Sequence, residues 1–221
     1  GEWFIDGLLR RLLNARDATS RHLLQDATFR IVPNINPDGS TLGHLRTNAA
    51  GSNLNREWAS KDEYVAPTME NSPEVYQFLQ LIDSIGCDCF VDCHGDEELP
   101  YCFVSGSEGC SVYGPALEVQ QRTLLEEMRK ADPNFQIGHG YSIDKPNTAN
   151  YRLASKQISE RLKCLAVTLE MPYKDVIDCR DQPATFLDVE AVNFGANMLN
   201  AVAATLPIIR ANPHEIKSSV N

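Results

Sequence analysis

Apolar residues follow two rhythms along this chain. Trp3, Phe4, Leu8, Leu9, Leu12 and Leu13 recur at helical spacing, which predicts an amphipathic helix over residues 2–15. Phe29 and Ile31 alternate with their neighbours, which predicts a short strand over 28–33. Residues 34–71 are rich in Asn, Gly, Ser and Pro and read as a long loop, with Asn36-Pro37-Asp38-Gly39 as a turn. Loops of that length are usually functional. Ser72-Pro73-Glu74 starts a helix, Ser at the N-cap and Pro at the first helical position, that runs to about residue 85. Strands are predicted over 87–94, 101–104 and 164–171 and helices over 114–131, 148–162 and 186–204; residues 134–147 read as loop. Strands alternating with helices predict a single α/β domain with a largely parallel sheet, its core within about 1–205 and a polar tail over 206–221.

Composition narrows the function classes. A chain of 221 residues, 43% hydrophobic and 23% charged, suits one folded domain and excludes a fibre or a disordered chain. The longest apolar run, around 198–209, is broken by Asn200, Thr205 and Pro207, short of the ~18 apolar residues of a membrane span. A net charge of −10 lacks the basic footprint that nucleic acid or an anionic membrane surface requires, so neither is expected as a partner. Seven cysteines, an odd number, with no secretory signal at the start, predict a reducing, cytoplasmic setting. Gly1-Glu2-Trp3-Phe4-Ile5 already reads as helix interior with no cap before it, so a fragment of a longer protein is expected.

Two strand ends carry candidate chemistry. In Cys87-Asp88-Cys89-Phe90-Val91-Asp92-Cys93-His94, strand alternation puts Cys87, Cys89 and Cys93 on one face and Asp88, Asp92 and His94 on the other. The thiols are therefore expected in the core rather than around zinc. His94 ends its strand, where parallel α/β sheets bind ligands, as a metal ligand or catalyst, or else as a hydrogen-bonded core residue. Glu170 ends an otherwise apolar strand before Pro172 and is a candidate general base, metal ligand or ordinary ion-pair partner. In the long loop, Asn53-Leu54-Asn55-Arg56 sets an amide beside a guanidinium, the group that grips a carboxylate bidentately, with Arg46 ten residues upstream. A pair of solvated loop arginines is the alternative.

Taken in order, Asn36-Pro37-Asp38-Gly39, Gly43-His44-Leu45-Arg46, Asn53-Leu54-Asn55-Arg56, the strand-ending His94 and Thr168-Leu169-Glu170 resemble the zinc metallocarboxypeptidase family. The likeness is greatest to its cytosolic branch, where His-Gly-Asp-Glu, Leu-Pro-Tyr and Thr-Leu-Glu-Met-Pro-Tyr recur, and it covers roughly residues 1–205. The resemblance implies a mixed, largely parallel eight-stranded sheet with helices on both faces and one catalytic Zn2+. It implies His94 as a zinc ligand, Glu170 as general base and Arg46 as the residue polarising the scissile carbonyl. Asn55 and Arg56 would hold the substrate's terminal carboxylate. A position near Ser155 and Lys156 would set residue preference, and a cation there, Lys156, would favour an acidic C-terminal residue. The tyrosine that closes over substrate is assigned to neither Tyr141 nor Tyr151.

One motif is missing. The family binds zinc through His-x-x-Glu and a later histidine, yet His22, His44, His94, His139 and His214 are each followed by another sequence. The resemblance thus implies a catalytic domain lacking its N-terminal part, inactive as this fragment. The function expected of the parent is zinc-dependent hydrolysis of the C-terminal bond of peptides or proteins. An amidohydrolase of N-acyl amino acids on the same fold and a non-catalytic binder of C-terminal carboxylates are the alternatives.

Overall fold

Three strands form the main sheet of the computed structural model, which describes residues 1–59 and 66–211. They are β1 (Cys89–Asp96), β2 (Phe103–Ser105) and β3 (Leu165–Pro172), in the order β1-β3-β2. β1 runs parallel to β3, and β2 runs antiparallel on the other side, so the sheet is mixed. β3 is buried at every position, which explains its apolar run: a central strand covered on both faces has no solvent side to alternate toward. A small hairpin, β4 (Val176–Ile177) with β5 (Pro183–Ala184), follows.

Helices cover both faces. On one, α1 (Glu2–Leu12), α5 (Pro115–Ala131) and α7 (Asp188–Arg210) bring Phe4, Leu124, Met128, Phe194 and Met198 against Leu165, Val167, Leu169 and Met171. On the other, α4 (Pro73–Ile85) and α6 (Ala154–Leu162) bring Leu79, Ile82 and Ile158 against Ala166, Phe90 and Trp58. α1 and α7 approach so closely that a Cβ on Gly7 would lie 1.8 Å from the Val192 carbonyl oxygen, and one on Gly195 1.8 Å from that of Phe4. Phe4 and Phe194 then meet edge to face at 5.3 Å. By length and composition α7 is apolar enough to cross a membrane, but its Phe194, Met198 and Ala201 are buried in this core and its Leu199 against Leu12 and Leu23.

The structure corrects several expectations. Residues 28–33 are not in a strand, because among the described residues no neighbouring strand offers them a ladder. Ahead of them lies a helix the apolar pattern did not show, α2 (Ala18–Asp26), capped by Asp17 accepting from the Ser20 amide at 2.8 Å. The long loop contains α3 (Pro37–Leu42), where Asn36 accepts from the Gly39 amide at 3.1 Å, and a 3-10 turn at Leu54–Arg56. Residues 60–65 of that loop and 212–221 of the expected tail lie outside the described residues. The Ser72-Pro73 start of α4 is as expected, although the serine hydroxyl donates to Glu57 at 3.3 Å instead of capping. α6 begins at Ala154 rather than 148, after a turn in which Asn150 accepts from the Arg152 and Leu153 amides. α7 continues to Arg210, past the expected end, with Pro207 in its last turn. Cys87 precedes β1 and packs toward α4 and α6, so only Cys89 and Cys93 share the opposite face as expected. Burial pushes both of those thiols up to about 12, which keeps them protonated, as core cysteines are.

Candidate active site

One face of the β1–β3 ladder changes character along its length. Phe90 and Ala166 are apolar, Asp92 pairs in register with Thr168, and His94 pairs with Glu170 at the carboxyl end. Period-two alternation carries all six to the same side, so the apolar base of the ladder faces α4 and α6 and its polar end faces the loops. His94 Nε2 lies 2.8 Å from Asp92 Oδ2, and Nδ1 lies 3.6 Å from Glu170 Oε1. Burial favours the neutral imidazole, but the Asp92 hydrogen bond and the charges of Asp92 and Glu170 outweigh it and hold His94 above its ordinary pKa.

Glu170 is 5% exposed. Burial is the main cause that pushes its carboxyl up to about 7, opposed by His94 and the nearby Tyr141 hydroxyl and reinforced by Asp96 and Asp92. A carboxyl poised near neutrality accepts and returns a proton efficiently. Tyr141 reaches this group from the loop after α5: its hydroxyl donates to Asp96, and its ring meets Phe103 edge to face at 4.9 Å. Tyr151 instead donates to Glu160 at 3.0 Å beside the Ser111 amide. Gly95 allows a second aromatic over the strand end, because a Cβ there would lie 2.4 Å from the Tyr173 ring.

The guanidinium groups gather on the loop side. Arg46 Nη2 reaches Glu97 at 3.2 Å, and its charge is felt at His94 and at Arg56. Burial first, then the charges of Arg46 and Arg152, lowers the Arg56 pKa. The lowering records a locally positive loop side, although Arg46 already shares its charge with Glu97. Asn55 Oδ1 accepts from the Ala154 amide at 3.3 Å, so the start of α6 holds the side chain by its carbonyl and its NH2 is the end left to donate outward. Arg152 donates from Nε to the Arg56 carbonyl at 3.0 Å, tying the two loops together.

Lys156 is 3% exposed, its Nζ donating to the Gly106 carbonyl at 2.5 Å and paired with Asp144 at 3.0 Å. It lines a cavity of about 30 Å³ with Ser105, Glu108, Tyr141, Ser142 and Asp144, roughly the space of one water. Its charge is thus already balanced, and the acid preference expected of a free cation does not follow from it. Ser155 bonds Thr168 at 2.7 Å and serves the packing of α6 on β3.

The tertiary structure therefore brings His94 and Glu170 together at one strand end, with Arg46 near enough for its charge to act on His94 and on Arg56, the chain neighbour of Asn55. Asp96, Tyr173 and Arg152 are not among the sequence-predicted site residues, and Tyr141 stands unassigned beside Tyr151; the turn Gly95-Asp96-Glu97 after a strand-end histidine was the available signal for Asp96. Among the described residues no three His, Cys, Asp or Glu side chains converge as a metal site. Three protein ligands are the usual minimum of a catalytic zinc site, and the described residues bring His94 alone of that expected set to this strand end.

The model of the zinc carboxypeptidase family matches residues 2–176. An uncharacterised protein of Zymomonas mobilis is 45% identical over 180 residues, covering 81% of this chain and 46% of its own length. Cytosolic carboxypeptidase 4 of Homo sapiens is 32% identical over 164 residues, 68% of this chain and 14% of its own. A metallo-carboxypeptidase of Pseudomonas aeruginosa, solved in complex with (2-guanidinoethylmercapto)succinic acid, superposes with a TM-score of 0.86 at 39% identity, over 95% of this chain and 54% of that one. The chain thus spans about half or less of the length of these relatives. By the match over most of its length and by the fold just described, the chain belongs to the zinc carboxypeptidase family.

Proposed function

We propose that the protein carrying this chain is a zinc-dependent metallocarboxypeptidase that removes the C-terminal residue of peptides or proteins. The observation that carries this reading is the buried Glu170, its carboxyl pushed up to about 7, standing across from His94 with the Arg46 and Arg56 guanidinium groups on the adjoining loops. In this reading His94 supplies one zinc ligand and a segment outside these residues supplies the others. This chain without that segment is then inactive.

The roles of the residues present follow from their surroundings. Arg56 and the Asn55 amide bind the terminal carboxylate, a charge present before reaction begins. Arg46 faces the scissile carbonyl oxygen as it gains negative charge. Glu170 takes a proton from the attacking water as the new C–O bond forms, then delivers it to the leaving nitrogen as the C–N bond breaks. Tyr141, rather than Tyr151, covers the bound residue, since it alone of the two reaches the Glu170 end of the sheet. The balanced charge of Lys156 favours a neutral C-terminal residue over an acidic one. Seven free cysteines suit a cytoplasmic setting.

The test is a peptide digested by the full-length zinc-loaded protein and followed by mass spectrometry, with free and amidated C-termini compared. Stepwise loss of terminal residues from the free peptide alone is expected. Equal cleavage of both removes the carboxypeptidase assignment. Hydrolysis confined to N-acyl amino acids marks an amidohydrolase, and binding of the free peptide without cleavage marks a non-catalytic binder.

A further inference from the structure

Asp96 ends β1 two residues beyond His94, and it is a carboxylate only 5% exposed. Buried carboxylates require partners, and this one has three. Oδ1 accepts from the amides of Glu98 at 2.7 Å and Leu99 at 2.6 Å, folding the chain sharply at the end of the strand. Oδ2 accepts from the Tyr141 hydroxyl. Each oxygen thus has a separate task, one local and one reaching across 45 residues of sequence.

The second task is tied to the site. Tyr141 lies on an otherwise irregular loop and is 49% exposed. Two contacts fix its ring: the Phe103 edge, and the hydroxyl bond to Asp96. Phe103 is the register partner of Glu170 on β2, so both supports stand beside the proposed base. Gly140 permits the approach, since a Cβ there would lie 2.8 Å from the Phe103 ring. An exposed tyrosine on a loop otherwise samples several rotamers, and a hydrogen bond to a buried charged acceptor selects one.

We infer that Asp96 is a positioning residue that holds Tyr141 over Glu170, fixing the wall against which the substrate's terminal residue packs. The inference rests on the carboxypeptidase reading for its consequence in catalysis, but the Asp96–Tyr141 pairing is measurable without turnover. Asp96 touches no reacting atom; it acts through the phenol. Replacing it by asparagine keeps an oxygen for the Glu98 and Leu99 amides and removes the charged acceptor from the phenol.

The experiment is a double-mutant cycle in the full-length zinc-loaded protein, with Asp96→Asn, Tyr141→Phe and both together. Each single variant is expected to raise KM for a peptide with a free C-terminus by about tenfold, with a smaller change in kcat, because a hydrogen bond to a charged group is lost. The double variant is expected to be no worse than either single one, since both remove one contact. Additive losses overturn the inference and make Asp96 a residue of the local turn only. In parallel, nitration of Tyr141 by tetranitromethane, read by peptide mass spectrometry, is expected to run several-fold faster in Asp96→Asn. Equal nitration rates overturn the pairing whether or not the protein cleaves peptides. Absence of peptide cleavage by wild type, with nitration accelerated as expected, fails the functional reading and leaves the pairing standing. Should Asp96→Asn not fold, Asp96→Ser, which keeps an acceptor for the two amides, is read in the same way.

Discussion

His94 Nδ1 stands 3.6 Å from Glu170 Oε1 because the two residues are register partners on adjacent parallel strands. Their backbone positions are set by the ladder rather than by a loop, so neither Cα shifts without shifting the sheet. Asp92, on the same face of β1, takes the other ring nitrogen at 2.8 Å, so both nitrogens face carboxylates. The proposed base and the proposed metal ligand are thereby held by the most buried strand of the molecule and its parallel neighbour.

Glu170→Gln is expected to retain peptide binding and fold while losing roughly 10²–10⁴-fold in kcat, the usual contribution of a positioned acid–base group. Its amide is nearly isosteric with the carboxyl but cannot shuttle the proton. Steady-state kinetics beside equilibrium binding of a substrate peptide separate the two effects, and a variant with half the wild-type rate places the base elsewhere.

Arg56 and Arg46 are expected to fail differently. Arg56→Ala removes a partner of a charge present in the ground state, so KM rises and kcat changes little. Arg46→Ala removes a donor to charge that develops during attack, so kcat falls on the order of 10²–10³-fold. Amidating the substrate should copy the Arg56→Ala loss in wild type and add little in that variant.

Asp144→Asn should release the Lys156 ammonium from its ion pair, leaving the Gly106 carbonyl as its hydrogen-bond partner. The preference for peptides ending in Glu over those ending in a neutral residue is then expected to rise about tenfold in kcat/KM, as an uncompensated buried cation seeks an anion. Competing peptides in one digest give the ratio directly; an unchanged ratio places residue selection in another part of the site.

Zinc analysis after dialysis is expected to find no stoichiometric metal in these 221 residues, because among the described residues His94 alone is a proposed ligand and no cluster of three forms. The full-length protein is expected to retain one zinc ion. Tight stoichiometric zinc in the shorter chain shows that its residues rearrange into a complete site.

Gly7→Ala tests the packing of α1 on α7. The added methyl would lie 1.8 Å from the Val192 carbonyl oxygen, so the helices must separate, and about 1–3 kcal/mol of stability should be lost, the usual cost of overpacking. Gly114→Ala, where a Cβ meets no heavy atom within 4 Å, should lose less, no more than about 1 kcal/mol, from a poorer N-cap of α5. Urea unfolding of both variants gives the comparison.

The sequence alone determined the elements whose reasons are local or periodic. The apolar rhythm around Phe4 and Leu8 marks α1, Ser72-Pro73 marks the start of α4, and the unbroken apolar run before Glu170 marks a strand covered on both faces. Ordered motifs that resemble the zinc carboxypeptidase family singled out His94, Glu170, Arg46, Asn55 and Arg56 as candidates, where residue type alone left core, ion-pair and solvated roles open. Tertiary structure decided what depends on a partner distant in the chain. Residues 28–33 carry strand propensity, but a ladder needs a second strand, and the described residues provide none beside them. Lys156 reads as a free cation until Asp144, twelve residues away, is folded against it. Tyr141 and Tyr151 were indistinguishable as letters, and the hydroxyl bond to Asp96 separates them. Local sequence carries propensity and pattern; which charges cancel and which side chains share a site is settled only when segments far apart meet, because those energies act through space and not along the chain.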